Sequence, residues 1–374
     1  MDIELSLAAK LLDAGDEAGA IHHLRAAIEG APERPDYHYS LGLLLFETGQ
    51  MDEARQAFEA VIALDPAQAD ARRNLGIIAQ GLGARLEALD HFAEALELAP
   101  EDDLLRRNFL ECLAGGIFSS GQLPPSLRRH LEEGSRAEYL DEKLWQKAAV
   151  NFIMGSEAFK QGLAHVRGDE GLDLSAADWF KTLSQDALLV QILTDELIGH
   201  LDMECLLGAL RRTLLQLALE GSGGLSAIPI DFICALAHQV FNGEYACPVD
   251  EAEKQQLNKL MESLHDDDWA ALAVAASYEP LGNWLGGQPA GMPEPLPSLW
   301  RRQVDEPAEE AESARTIPAL PSSQTETSTR VQALYETNPY PRWQKLANFK
   351  PAGLDELLRG TFPHFLAPES LSRP

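Results

Sequence analysis

The sequence predicts an all-α fold, and three observations support that prediction. In the first hundred residues prolines recur every 34 positions, at Pro32, Pro66 and Pro100. Apolar residues keep a helical spacing as far as Trp300, although the 34-residue period is lost after about residue 118. No convincing alternating strand or Asn-Gly hairpin occurs in that span. We therefore expect residues 1–300 to be built from helices alone.

The period of 34 extends to small and large apolar positions. Four series share this step: Ala20, Ala54 and Ala88; Leu24, Phe58 and Phe92; Leu7, Leu41 and Leu75; Ala8, Gly42 and Gly76. Small residues are needed where two helices approach closely, and large apolar residues fill the groove between them. A proline then ends each second helix and begins the turn to the next unit.

This pattern resembles the tetratricopeptide repeat, a helix-turn-helix unit of the same length. Three copies fit, at residues 1–34, 35–68 and 69–102. Residues 103–114 resemble the first helix of an incomplete fourth copy, which we expect to cap the exposed end of the stack and complete a region of residues 1–118. The resemblance implies a helical solenoid whose first helices line the concave surface.

One motif recurs on those first helices. Arg72, Arg73 and Asn74 are repeated 34 residues later as Arg106, Arg107 and Asn108. In an acidic protein, these residues predict an electropositive, amide-bearing groove that binds a protein or an acidic peptide. An alternative stays open, because asparagine is common at this repeat position and arginine on a solvated helix face needs no partner. Ser40 holds the position of Asn74 in the second copy.

The charge of the chain limits its partners. With a net charge of −29 and a pI near 4.6, the sequence argues against nucleic acid and against an anionic membrane surface as partners. The N-terminus carries acids where a secretory signal requires bases, and no stretch is apolar enough to span a bilayer. We expect a cytoplasmic protein, and we expect its four dispersed cysteines to be isolated buried thiols.

Residues 119–300 predict an irregular, all-helical middle domain without a metal site or catalytic residues. His200 and Glu204 are one helical turn apart, but two ligands without a third indicate a surface pair. The glycines of residues 221–225 follow a helix and lack a lysine, so they indicate an interhelical loop. The acids of residues 266–268 suit the N-terminus of the helix that follows them.

The C-terminal residues change in composition. Acids, prolines and hydroxyl residues predict a linker over residues 301–328, and residues 329–374 form an arm with the run YETNPYPRW. Two prolines in that run stiffen the backbone and hold its aromatic side chains outward at low entropic cost. The residues that we expect to dock the arm on a partner surface are Tyr335, Asn338, Tyr340, Arg342 and Trp343.

The arm VQALYETNPYPRW resembles the segment preceding the catalytic domain of bacterial tetratricopeptide-repeat proteins that end in an S-adenosylmethionine-dependent methyltransferase. ALAHQVFNGEY, residues 235–245, resembles a segment of the same proteins. The resemblance implies a parent enzyme whose Rossmann-like domain follows Pro374 and receives the arm. No G-x-G-x-G follows a strand in this chain, so we expect it to bind no cofactor and to be inactive alone. The alternative is a self-contained adaptor in which YETNPYPRW is itself a recognition motif.

Overall fold

The structure is a computed structural model. It describes residues 3–124, 126–134, 142–168, 177–195, 197–221, 223–245, 248–265 and 267–316. Every regular element in these ranges is helical and none is a strand, which confirms the all-α prediction. The arm, with Tyr335, Asn338, Tyr340, Arg342 and Trp343, lies outside the described residues.

The first seven helices follow the 34-residue period. They are α1 (Ile3–Asp13), α2 (Glu17–Gly30), α3 (Pro35–Glu47), α4 (Met51–Leu64), α5 (Ala69–Gly81), α6 (Arg85–Leu98) and α7 (Asp103–Ala114). Pro32, Pro66 and Pro100 each lie in the turn between a second helix and the next first helix, as predicted.

The predicted contacts between small and large residues are present in the second and third helix pairs. Phe58 and Phe92 are fully buried. A Cβ atom added at Gly42 would lie 2.8 Å from the Phe58 ring, and one added at Gly76 would lie 2.5 Å from the Phe92 ring. The ring of each second helix therefore occupies the space that a side chain on the first helix would need.

The remaining helices form the middle of the chain. They are α8 (Leu127–Gly134), α9 (Glu142–Met154), α10 (Glu157–Arg167), α11 (Asp178–Ser184), α12 (Ala187–Asp195), α13 (Leu201–Leu219), α14 (Ile230–Asn242), α15 (Glu251–Ser263), α16 (Trp269–Ala276), α17 (Leu296–Trp300) and α18 (Glu306–Thr316). Helix α14 lies at the centre, because each of its residues from Phe232 to Asn242 is buried.

Helix α7 does not cap an exposed end, contrary to the expectation from sequence. Its buried Phe109 belongs to one hydrophobic cluster that runs from the third repeat through Trp145 to Phe232 and beyond. Asn151 of α9 donates hydrogen bonds to the carbonyls of Leu113 (3.3 Å) and Ala114 (3.1 Å) at the end of α7. Residue 118 is therefore not a break in packing, because the middle helices cover the repeat that precedes them.

The predicted linker is helical in its first half, which corrects the boundary at residue 301. Residues 301–305 form a π-helical turn that leads into α18. Gln303 is buried there; it donates to the Ala276 carbonyl (3.0 Å) and accepts from the Leu281 amide (3.2 Å). Pro307 is the second residue of α18, the helix that follows this π-helical turn directly. Residues 317–328 lie outside the described residues.

Candidate protein-binding surface

The first arginine of each repeated motif is bound to the turn before its own helix. The same position of three first helices contacts a proline carbonyl six residues earlier: His38 with Pro32, Arg72 with Pro66, and Arg106 with Pro100. Arg72 also pairs with Glu94, and Arg106 pairs with Asp103 at 2.9 Å. Arg72 and Arg106 therefore stabilise the turns between repeats and are not presented for a ligand.

Of the two second arginines, Arg107 is the accessible one, whereas Arg73 is nearly as covered as Arg72, whose side chain is 18% exposed. Arg73 pairs with Asp70 at 2.9 Å and with Asp102 at 3.7 Å, and its side chain is 20% exposed. Arg107 pairs with Glu111 at 2.8 Å, and its side chain is 68% exposed. An exposed ion pair of this kind contributes only about 0.2–1 kcal/mol, so a ligand carboxylate can replace Glu111 at little cost.

One of the two asparagines, Asn74, connects neighbouring first helices. Asn74 Nδ2 donates to the Tyr39 hydroxyl at 3.5 Å, which joins α5 to α3, and Asn108 lies partly buried one repeat further along. Ser40 instead donates to the carbonyl of Asp36 in its own helix at 2.9 Å. Repeat 2 therefore contributes Tyr39 to this surface in place of the residue aligned with the asparagines.

Tyr39 is the residue that sequence reasoning missed, although a signal was available. It precedes Arg73 by 34 positions, and Arg107 follows Arg73 by the same step. Burial raises the pKa of Tyr39, and the charge of Asp70 raises it further, so its phenol is neutral and able to donate. We call Tyr39, Arg73, Asn74, Arg107 and Asn108 the first-helix face.

The arginines of the first-helix face are paired with acids, so the face carries no excess of positive charge. Each of the four arginines in the two motifs has an acidic partner in the structure. Arg73 also reaches Asp102, which caps α7 by accepting from the Leu105 amide at 3.0 Å. The face can thus recognise a ligand by exchanging ion pairs and by hydrogen bonding, without a strong attractive field.

The other motifs singled out in the sequence have structural roles. His200 caps α13, with its Nδ1 accepting from the Asp202 amide at 3.3 Å. The loop between α13 and α14 contains Gly221, Gly223, Gly224 and Leu225, and Asp268 is the residue before α16. Within the described part of the chain, no three His, Cys, Asp or Glu side chains are grouped so that they could hold a metal ion.

Comparison with known families identifies the repeats. The family model described as tetratricopeptide repeat matches residues 5–69 and 48–103. The N-terminal part of the chain therefore consists of tetratricopeptide repeats, a class of helical repeat. No curated protein matches the chain. None of the helices in the described ranges is long and apolar enough to cross a membrane.

Three solved structures are similar to the chain. The crystal structure of MamA is 20% identical, with a TM-score of 0.30, 48% of this chain covered and 92% of that one. The P58(IPK) TPR domain is 16% identical (TM-score 0.25; 76% and 97% covered), and Naa15/Naa10 bound to HypK is 14% identical (TM-score 0.24; 90% and 58% covered).

Proposed function

We propose that the chain is a protein-recruiting scaffold whose first-helix face binds an extended peptide segment with an acidic group. The observation that carries the proposal is the polar row across three successive first helices. Asn74 bonds to Tyr39 on α3, and Arg73 pairs with Asp102 at the start of α7. A row of this kind offers hydrogen bonds at intervals along an extended chain.

The acidic group of the ligand follows from the accessible Arg107, with the half-covered Arg73 one repeat earlier. A carboxylate on the ligand can take the place of Glu111 on Arg107 and form a charge-assisted, bidentate pair. The neighbouring amide of Asn108 and the phenol of Tyr39 are uncharged donors that suit peptide carbonyls. Uncharged amide and hydroxyl donors suit a peptide, and the two arginines of the face, each already paired with an acid, are too few to follow a nucleic-acid backbone.

The test is a charge reversal on the first-helix face. Fluorescence anisotropy with a panel of labelled acidic peptides measures the dissociation constants of the wild type and of the Arg73→Glu/Arg107→Glu variant. We expect at least a tenfold loss of affinity, together with a loss of the salt dependence of binding.

A matched control is Arg55→Glu. Arg55 is also a surface arginine with acidic partners, Glu59 at 3.0 Å and Glu87 at 2.5 Å, but these lie on the second helices. Equal binding by the wild type and the double variant, or an equal loss in Arg55→Glu, refutes the assignment of the face.

A finer proposal concerns the enzyme that this scaffold serves. We propose that it recruits partners to an S-adenosylmethionine-dependent methyltransferase domain, on which residues 335–343 dock. The support is the resemblance of the VQALYETNPYPRW segment, and that segment lies outside the described residues. The reading frame after the codon for Pro374 tests it: a strand followed by G-x-G-x-G supports the methyltransferase, and a stop codon favours a self-contained adaptor.

A further inference from the structure

A cleft lies between α13, α14 and the loop before α13, far along the chain from the repeats. The cleft encloses about 590 Å³, a volume typical of small-molecule sites. Its apolar lining includes Leu197, Ile198, Leu201, Leu207 and Val240. Leu201 is 78% exposed, the most exposed of the large apolar side chains in the described residues.

The walls of the cleft are held in place by hydrogen bonds. Gln146 of α9 donates to the Leu197 carbonyl at 2.5 Å, and Gln239 of α14 donates to the Ile198 carbonyl at 3.4 Å. These bonds fix the loop before α13 against two helices. The cleft is therefore preformed, which lowers the entropic cost of binding a ligand there.

Three charged side chains of the residues that the structure describes line the cleft: Arg211, Arg212 and the exposed Glu204, two helical turns before Arg212. The two adjacent arginines make the end of the cleft near Arg212 positive. Arg211 is 2% exposed; it donates to the Pro248 carbonyl at 2.9 Å, but its Nε has no hydrogen-bond partner among the described residues. Glu253 lies 3.6 Å away and the Tyr278 ring 4.5 Å away, so the Arg211 charge is compensated while one donor stays unused. A buried donor without a partner is costly.

Arg212 is exposed and lines the same cleft. In the described part of the chain, the other arginines each have an acid or a backbone carbonyl as a partner, and Arg212 has neither. In a chain with 59 acids and 30 bases, an arginine without a partner beside an apolar cleft is unusual. Its guanidinium is free to pair with an anionic group on a ligand.

We propose that this cleft binds an amphiphile with one carboxylate head and an unbranched apolar chain, that is, a fatty acid. The apolar walls match the chain, and Arg212 matches the head. Gly208, one helical turn before Arg212, leaves the floor open: a Cβ added there would meet nothing closer than Arg212 Nη1 at 3.9 Å. The site is independent of the first-helix face.

Cys205 provides the readout. Among the described cysteines it is exposed, whereas Cys112 and Cys234 are buried, which corrects the expectation that all are buried thiols. Burial raises the pKa of Cys112 to about 11 and that of Cys234 to about 12, so both resist thiol reagents at neutral pH. Cys205 lines the cleft, and a bound chain will shield it.

The experiment measures the rate at which Ellman's reagent modifies Cys205 in a full-length Cys247→Ser background. We expect dodecanoate to slow the reaction saturably below its micellar concentration, and butyrate to have no effect. Dodecanol should protect at least tenfold more weakly than dodecanoate, and dodecyltrimethylammonium should not protect. Arg212→Glu should weaken dodecanoate at least tenfold and leave dodecanol unchanged.

A filled cleft is the second arm of the test. Gly208→Leu should abolish protection by dodecanoate while the thermal midpoint stays within a few degrees of the wild type. Gly81→Leu, at another helical glycine with open space around it, is the matched control and should keep protection. Absence of protection by dodecanoate overturns the proposal, as does equal protection in Arg212→Glu. Protection only by an apolar peptide with an acidic end also overturns it, and assigns the cleft to protein docking.

Discussion

A methyl group added at Gly76 should destabilise the third repeat. In Gly76→Ala, the new Cβ would lie 2.5, 2.7 and 2.9 Å from three atoms of the Phe92 ring. Cβ atoms rarely contact other heavy atoms closer than 3.4 Å, so the ring or the helix pair has to move by nearly 1 Å. Phe92 is fully buried, and the ring therefore has no free space into which to move.

The magnitude is a balance of two opposing terms. Overpacking of a filled core costs about 1–3 kcal/mol, and three close contacts to a buried ring place this case in the upper half. Replacing glycine by alanine inside a helix contributes about 1 kcal/mol in the opposite direction. The net loss in free energy of unfolding should therefore be about 1–2 kcal/mol.

Urea unfolding followed by circular dichroism measures this loss, and Gly208→Ala is the matched control. Gly208 is also inside a helix, but an added Cβ would lie 3.9 Å from its nearest neighbour, Arg212 Nη1. Only the difference in helix propensity between glycine and alanine therefore applies. This control should gain about 0.5–1 kcal/mol. The two variants should thus shift the urea midpoint in opposite directions.

A double-variant cycle separates the clash from other effects of the substitution. In Phe92→Leu the ring is absent, so adding Gly76→Ala to that background should cost less than adding it to the wild type. The reasoning is wrong if Gly76→Ala is as stable as the wild type. It is also wrong if its cost is the same with Phe92 and with leucine at that position.

Two further predictions concern the middle helices. Burial, with Arg302 adding to it, lowers the pKa of His238 to about 4, against about 6.5 in the unfolded chain. The stability that neutral His238 contributes to the fold is complete above pH 6.5 and falls by about 3 kcal/mol as the pH drops to 4. His238→Asn should remove this part of the pH dependence of the free energy of unfolding, measured with urea. An unchanged pH dependence in that variant contradicts the prediction. Asp186 caps α12 through the amides of two leucines (3.0 and 3.1 Å) and binds Arg128 with both oxygens. Asp186→Ala should cost about 2–3 kcal/mol in the same assay and Asp186→Asn about 1 kcal/mol less; equal losses would refute the separate capping term.

The repeat region was predictable because its contacts are local and periodic. The contacts of Gly42 with Phe58 and of Gly76 with Phe92 can be predicted from the 34-residue step and the period of a helix alone. The all-α class follows from the same spacing of apolar residues. The face of the repeats was predicted only in part, because the spacing alone does not show that Arg72 and Arg106 bind the proline carbonyls of the preceding turns.

What the sequence could not predict depends on contacts between distant segments. The end of α7 is covered by α9, whose Asn151 binds two carbonyls of α7 that lie 38 and 37 positions earlier in the chain. The cleft beside Arg212 forms because the loop before α13 contacts α14, and no local sequence pattern predicts that contact. The acidic composition of residues 301–316 suggested a linker, although one side of that segment is anchored through the buried Gln303.

Helix α5 contributes residues to both hydrophobic clusters. Binding of a partner to α5 therefore acts on both clusters. Leu75 and Ile78 lie in the cluster of the first two repeats, and Ala79 lies in the cluster that continues through α7 and α9. A partner held by Arg73 and Asn74 therefore pulls on a helix that is a shared wall of both cores. Fragments cut after residue 118 would lose the middle helices that complete the second core. A truncated repeat region would therefore hold its partner on a looser surface than the intact chain does.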